Sequence, residues 1–212
     1  MITFQIGNCR VDLLPVVNGL TAEADLVRAA FGGYEAYGAS LGIEGLEALR
    51  KRVEIGLDEV EVSELDIIYA EKMAAFGNVE TPSPPFCALV DLCTAEGKQV
   101  IALDFNDNDY TTAYIENVST TEFVSEHRLA KKLHKSKLEA ATPAELAKIW
   151  DDRVSTVEGY GKLNQKREEH IAAEIADTAK YRSSLLAVVE SERAEGIEKI
   201  LRGMEHDGKR SE

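Results

Sequence analysis

A chain of 212 residues is long enough for one domain, or one domain with an appendage. Hydrophobic residues make up 44% and charged residues 29%, a balance that lets a chain bury its own core without disulfides or metals. With 24 basic against 38 acidic residues the net charge is −14, which argues against nucleic acid and anionic membrane surfaces as partners.

No run approaches the ~18 apolar residues of a transmembrane helix, so no membrane span is expected. Met1 to Ile6 has no basic region followed by an apolar run, so no signal peptide is expected there. Cys9, Cys87 and Cys93 are odd in number and lack a C-x-x-C pair, which suits reduced thiols in a cytoplasmic protein.

Residues 2–6 and 9–17 read as two strands around Gly7-Asn8, a hairpin turn built from residues that tolerate positive φ. Pro15 removes a ladder donor in the second strand. After the turn at Asn18-Gly19, Thr21 is the expected N-cap of a helix over 22–31, closed by Gly32-Gly33. Residues 34–41 alternate and read as a strand, followed by a helix over about 42–53. Ser63 and Asp66 have capping-box spacing, and a helix over 64–76 follows.

The proline-rich 81–85 is a surface connection, 86–96 a helix, and 99–103 an apolar strand that stops at Asp104. Residues 104–109 read as an acidic loop. Asp104, Asn106 and Asn108 fit three calcium-loop positions, but Asp109 stands where the EF-hand needs glycine and Ile115 where it needs a carboxylate, so that reading fails. Residues 110–120 suit either state. One helix spans about 122–136. Thr142-Pro143-Ala144-Glu145 starts another, continuing to about 180 with breaks at Gly159 and Gly161. Residues 184–189 read as a buried strand and 193–202 as the last helix.

Alternating strands and helices predict an α/β fold, a mostly parallel sheet flanked by helices, with an N-terminal hairpin and a long helical C-terminal half. One domain is expected over 1–203, with 122–180 a largely helical insertion and 204–212 a disordered polar tail. Ligands of such sheets sit beyond the carboxyl ends of the strands. Here those ends are Asn18, Ser40, Asp104 and Glu190.

Leu14-Pro15-Val16-Val17-Asn18-Gly19 and Ala39-Ser40-Leu41-Gly42-Ile43-Glu44-Gly45-Leu46 resemble the opening of the TraB-like proteins, which share a distant superfamily with the Tiki proteases, the ChaN haem-binding proteins and the erythromycin esterases. The stretch from Ala88 to Asp104 resembles that family's middle. Arg167-Glu168-Glu169-His170-Ile171-Ala172 is similar to its Arg-x-x-x-(Met/Ile)-Ala helix, and 186–197 to its final strand and Gly-Ile helix start. The resemblance covers about residues 10–202. It implies a histidine where the chain has Asn18, a Glu-Leu-Asp where it has Ser40-Leu41-Gly42, an arginine where it has Phe105, and a Gly-x-x-His pattern where it has Glu190-Ser191-Glu192-Arg193. The family's membrane-spanning C-terminal region has no counterpart. The metal ligands and base that the resemblance implies are therefore missing, while Arg167 remains.

These readings lead to a non-hydrolytic member binding a small molecule or a protein at the strand ends. Asn18, Ser40, Asp104, Arg167, Glu190 and Arg193 would line the site, with Arg167 or Arg193 holding an anionic group against Asp104 or Glu190. The first alternative is a metal-dependent hydrolase that uses Asp104 and Glu190 to hold a divalent metal or as an acid/base pair. The second is a structural protein that assembles, with itself or a partner, through the long helices.

Overall fold

The computed structural model describes residues 1–55 and 63–208. Its sheet has five strands: β1 (Ile2–Ile6), β2 (Cys9–Val16), β3 (Ala36–Ala39), β4 (Val100–Ala102) and β5 (Ser184–Glu190). Their spatial order is β1-β2-β5-β3-β4. Strands β2, β5, β3 and β4 run parallel, and β1 pairs antiparallel with β2 from Ile2↔Leu13 to Ile6↔Cys9. The fold is α/β as expected, but the sheet is mixed rather than mostly parallel. The two-residue turn makes β1 an antiparallel edge, and β4 is only three residues long.

The last strand lies in the middle of the sheet. All of its interior residues are buried, and they alternate between two cores. Leu186 and Val188 join Val16, Tyr37, Ala39 and Phe86 on one face. Leu185, Ala187 and Val189 join Phe4, Leu13, Ile171, Ile175 and Ile197 on the other. Burial on both faces explains the unbroken apolar run, which is typical of a strand with parallel neighbours. Each such side chain contributes about 1.5–3 kcal/mol through removal from water. Pro15 pairs with Val189 beyond the end of β1, where the outer ladder has already stopped.

Helices α1 (Glu23–Ala30), α2 (Ile43–Ile55) and α4 (Pro84–Ala95) cover the first face. Helices α8 (Glu158–Ala179) and α9 (Ala194–Gly208) cover the second. Helices α3 (Glu64–Met73), α6 (Thr120–Lys135) and α7 (Pro143–Val154) build two further clusters, one of which takes in Val17 and Leu20 just beyond β2. Helix α5 (Asp107–Asn117) packs on α8.

Several local expectations are corrected. Thr21 does not cap α1. Its hydroxyl donates to the Asn78 carbonyl at 2.6 Å, and the helix starts behind Ala22 without a side-chain cap. The turn at 7–8 uses positive φ at Gly7 alone. The acidic loop ends at Asn106, which caps α5 by accepting from the Asp109 N–H, so Asp107 and Asp109 belong to a first helical turn that suits carboxylates. The break in the long helical region falls at 155–157, and Gly159 and Gly161 lie inside α8. Gly159 is there for close packing: a Cβ would stand 2.6 Å from the Asn117 carbonyl oxygen and 2.9 Å from the Val118 Cα. The Ser63–Asp66 capping box forms as expected, as does the Thr142 cap with Pro143 in the first turn. Helix α9 carries the chain to Gly208, so the tail expected from 204 begins as helix, and 209–212 lie outside the described residues. No helix among the described residues is long and apolar enough to cross a membrane.

Candidate functional site

Parallel pairing brings the carboxyl ends of β2, β5, β3 and β4 to one edge. Register sets them side by side, with Val16 opposite Glu190, and Ala39 opposite both Val188 and Ala102. The residues that follow are Asn18, Ser40 and Asp104, with Glu190 closing β5.

Ser40 is a tie between strands. Its N–H donates to the Val188 carbonyl at 3.0 Å, and its Oγ accepts from the Glu190 N–H at 3.1 Å. At 1% exposure it has no surface to offer a ligand. Asp104 uses both oxygens: Oδ1 accepts from the Phe105 N–H at 2.8 Å, and Oδ2 accepts from Arg167 Nε at 2.9 Å and Nη2 at 2.5 Å. The same Nη2 donates to Glu190 Oε2 at 3.0 Å. One guanidinium from α8 thus binds the carboxylates that end β4 and β5. The Arg167 side chain keeps 20% exposure and that of Glu190 15%, so water reaches the group from one side.

Arg193 belongs elsewhere. It is 3% exposed and pairs with Glu168 of α8, Nη1 to Oε1 at 2.9 Å, and with Asp151 of α7 through Nη2. Burial lowers its pKa to about 10, which leaves it charged at neutral pH. Burial pushes the Glu168 carboxyl up to about 7, against the opposing charges of Arg167 and Lys148. This cluster locks three helices where α9 begins. Gly196 is part of it, because a Cβ there would strike the Glu168 carboxylate. Asn18 lies half-buried in the turn after β2, where the neighbouring Gly19 N–H donates to Ser83 Oγ at 3.2 Å. The structure therefore brings Ser40, Asp104, Arg167 and Glu190 together, places Asn18 on the same edge, and sets Arg193 in a separate ion cluster.

Sequence reasoning passed over two groups here. Glu192, two residues past Glu190, accepts from Ser191 Oγ at 3.1 Å and forms no ion pair among the described residues, although the Arg167 charge pulls its pKa down. Burial, reinforced by the neighbouring Glu190, pushes its pKa up to about 7. Burial likewise raises Glu190, with Arg167 pulling the other way. Two glutamates spaced by one residue past an apolar strand were a legible signal. Tyr69 of α3 gave none, because its spacing is that of a core residue. Its ring lies 5.7 Å from that of Trp150, and its hydroxyl is buried without a hydrogen-bond partner among the described residues. Burial and the charges of Glu192, Glu190 and Glu23 raise its pKa, so the hydroxyl stays protonated. It is an unused donor within electrostatic reach of the strand-end carboxylates.

Among the described residues no three histidine, cysteine, aspartate or glutamate side chains are placed to hold a metal ion. No family model, curated protein or solved structure matches the chain.

Proposed function

We propose that the chain is a divergent, non-hydrolytic TraB-like protein, cytoplasmic, whose strand-end site binds a small cationic ligand, an amine or a guanidinium. The observation that carries this is a surplus of carboxylate: Asp104 and Glu190 share one guanidinium, Arg167, and Glu192 beside them forms no ion pair among the described residues. At the strand ends a site for an anion would need a guanidinium free of its buried carboxylates. Arg167 and Arg193 each already hold two carboxylates. A cation entering beside Glu192 would offset the burial and the Glu190 charge that lift its pKa and could meet the Tyr69 hydroxyl through its oxygen. Free thiols at all three cysteines support the cytoplasmic reading.

The test is thermal unfolding with putrescine, agmatine and acetate, repeated on Glu192→Gln and Asp104→Asn, and with Mn²⁺, Zn²⁺ and Ca²⁺ against EDTA. A ligand at 100 times its dissociation constant adds about 2.7 kcal/mol, a shift of several degrees at this size. The expected result is a shift with an amine that Glu192→Gln removes. A shift with acetate alone would sink the cationic reading. A shift with one metal, lost in Asp104→Asn, would favour the hydrolase with a rebuilt carboxylate site.

A second reading, a partner surface on the helical half, draws on Ile115, Phe123 and Val124, which are 72%, 59% and 65% exposed on α5 and α6. Light scattering before and after Phe123→Ser separates self-assembly from a monomer.

A further inference from the structure

A groove of about 470 Å³ lies between α1, α2 and the start of α4, and its lining shares no residue with the Arg167 group. That volume is in the range of small-molecule sites. Two arginines line it, Arg28 from α1 and Arg52 from α2, although the chain as a whole is acidic. Arg52 is held in place: Nη1 donates to the Leu49 carbonyl at 2.8 Å, and Nη2 to both Asp91 oxygens at 2.6 and 2.8 Å. Arg28 reaches Asp25 at 2.6 Å.

These pairs differ in kind from that of Arg167. Asp91 is 56% exposed and Asp25 80%, so each can return to water when a competitor arrives. Exposed pairs of this type contribute between about 0 and 1 kcal/mol, whereas breaking a buried pair costs several-fold more. The planar guanidinium fork matches a carboxylate. Ala24, Pro84 and Ala88 supply an apolar wall beside it. Glu80 and Asp91 stand along the same groove and would repel a second negative charge.

We infer that this groove is a ligand site of its own, independent of the strand-end site, and that it takes a small monocarboxylate with an apolar body, whose carboxylate replaces Asp91 on Arg52. The groove also contains its own reporter. Cys87 lines it and is half-buried, while Cys9 and Cys93 are 0% and 1% exposed. Burial raises the Cys87 thiol pKa, so labelling is slow enough to time.

The experiment follows N-ethylmaleimide labelling of the native protein at pH 8, with Cys87→Ser identifying the Cys87 phase. The probes are benzoate, benzylamine and inorganic phosphate. At ten times its dissociation constant benzoate is expected to slow the Cys87 phase about tenfold by occupancy. Arg52→Met is expected to weaken benzoate at least tenfold. Arg28→Met, whose side chain is 59% exposed and safe for folding, is expected to weaken it several-fold. Equal slowing by benzylamine would overturn the proposal, because the groove would then read only the apolar ring. Equal slowing by phosphate would overturn the monocarboxylate assignment, and no slowing by benzoate would overturn the site.

Discussion

Arg167 and Arg193 are each held by two carboxylates, yet their surroundings differ. Arg193 joins α7, α8 and the start of α9, and only 3% of it meets solvent. Arg167 joins the ends of β4 and β5, keeps a fifth of its side chain in water, and has a third carboxylate, Glu192, nearby. The same ion-pair chemistry is a lock in one place and the floor of an electrostatic site in the other. What separates them is surplus charge and access to water. Both arginines face two carboxylates; the lock is closed to water and Gly196 packs on its Glu168 carboxylate, whereas the strand-end site adds Glu192, which forms no ion pair among the described residues.

The largest effect that tests this contrast is loss of each arginine. Arg193→Met strands Asp151 and Glu168 among three helices, and breaking a buried pair in this way costs about 3–5 kcal/mol. Arg167→Met should cost less, because the arginine removed keeps 20% of its side chain in water where Arg193 keeps 3%. Urea unfolding at pH 7.5 measures both. If Arg167→Met is the more damaging, the triad at the strand ends is the structural lock and the comparison is inverted.

The next effect is smaller and of opposite sign. Unfolded glutamate releases its proton near pH 4.3. Folded Glu192 holds its proton to about 7. Between those values the folded state binds more protons than the unfolded, so this group's contribution to stability falls as pH rises through the window and is lowest above 7. Glu192→Gln removes the penalty. The variant is expected to unfold like the parent at pH 4 and to exceed it by about 1–3 kcal/mol at pH 8, the full shift being discounted for partial exposure. Equal stability at pH 8 would mean that Glu192 is well hydrated and the strand-end charge is not felt.

Much of this architecture is readable from the chain because the rules involved are local. The apolar run of β5, the hairpin of β1 and β2, the cap at Thr142 and the capping box at Ser63 each declare themselves within a few residues. Asp104 and Glu190 follow from a rule about strand ends, and Arg167 from a helix motif. The misreadings have a common physical origin. Arg193 sits two residues past Ser191 and so reads as part of the strand-end site. Its partners Asp151 and Glu168 come from other helices, and no spacing rule reports that meeting. Gly159 reads as a helix break, but its purpose is contact with Asn117 and Val118 on another segment. Asn106 was hidden inside an acidic run that read as a loop, although it is an ordinary N-cap.

The smallest expected effect concerns Tyr69, and it separates folding from binding. Its hydroxyl has no hydrogen-bond partner among the described residues, while its ring packs against Trp150 and the cluster beneath α3. A buried unpaired hydroxyl contributes nothing to stability and carries a desolvation cost, so Tyr69→Phe keeps the packing and removes the cost. The variant is expected to be as stable as the parent or firmer by up to about 1 kcal/mol in urea unfolding. A hydroxyl kept at a cost to folding needs a reason outside folding. If that reason is a ligand beside Glu192, the same variant weakens amine binding about tenfold, the equivalent of ~1.4 kcal/mol, while its unfolding midpoint holds or rises. Loss of stability beyond 1 kcal/mol would show that the hydroxyl is satisfied in solution. Tyr69 would then belong with Arg193 among the locks.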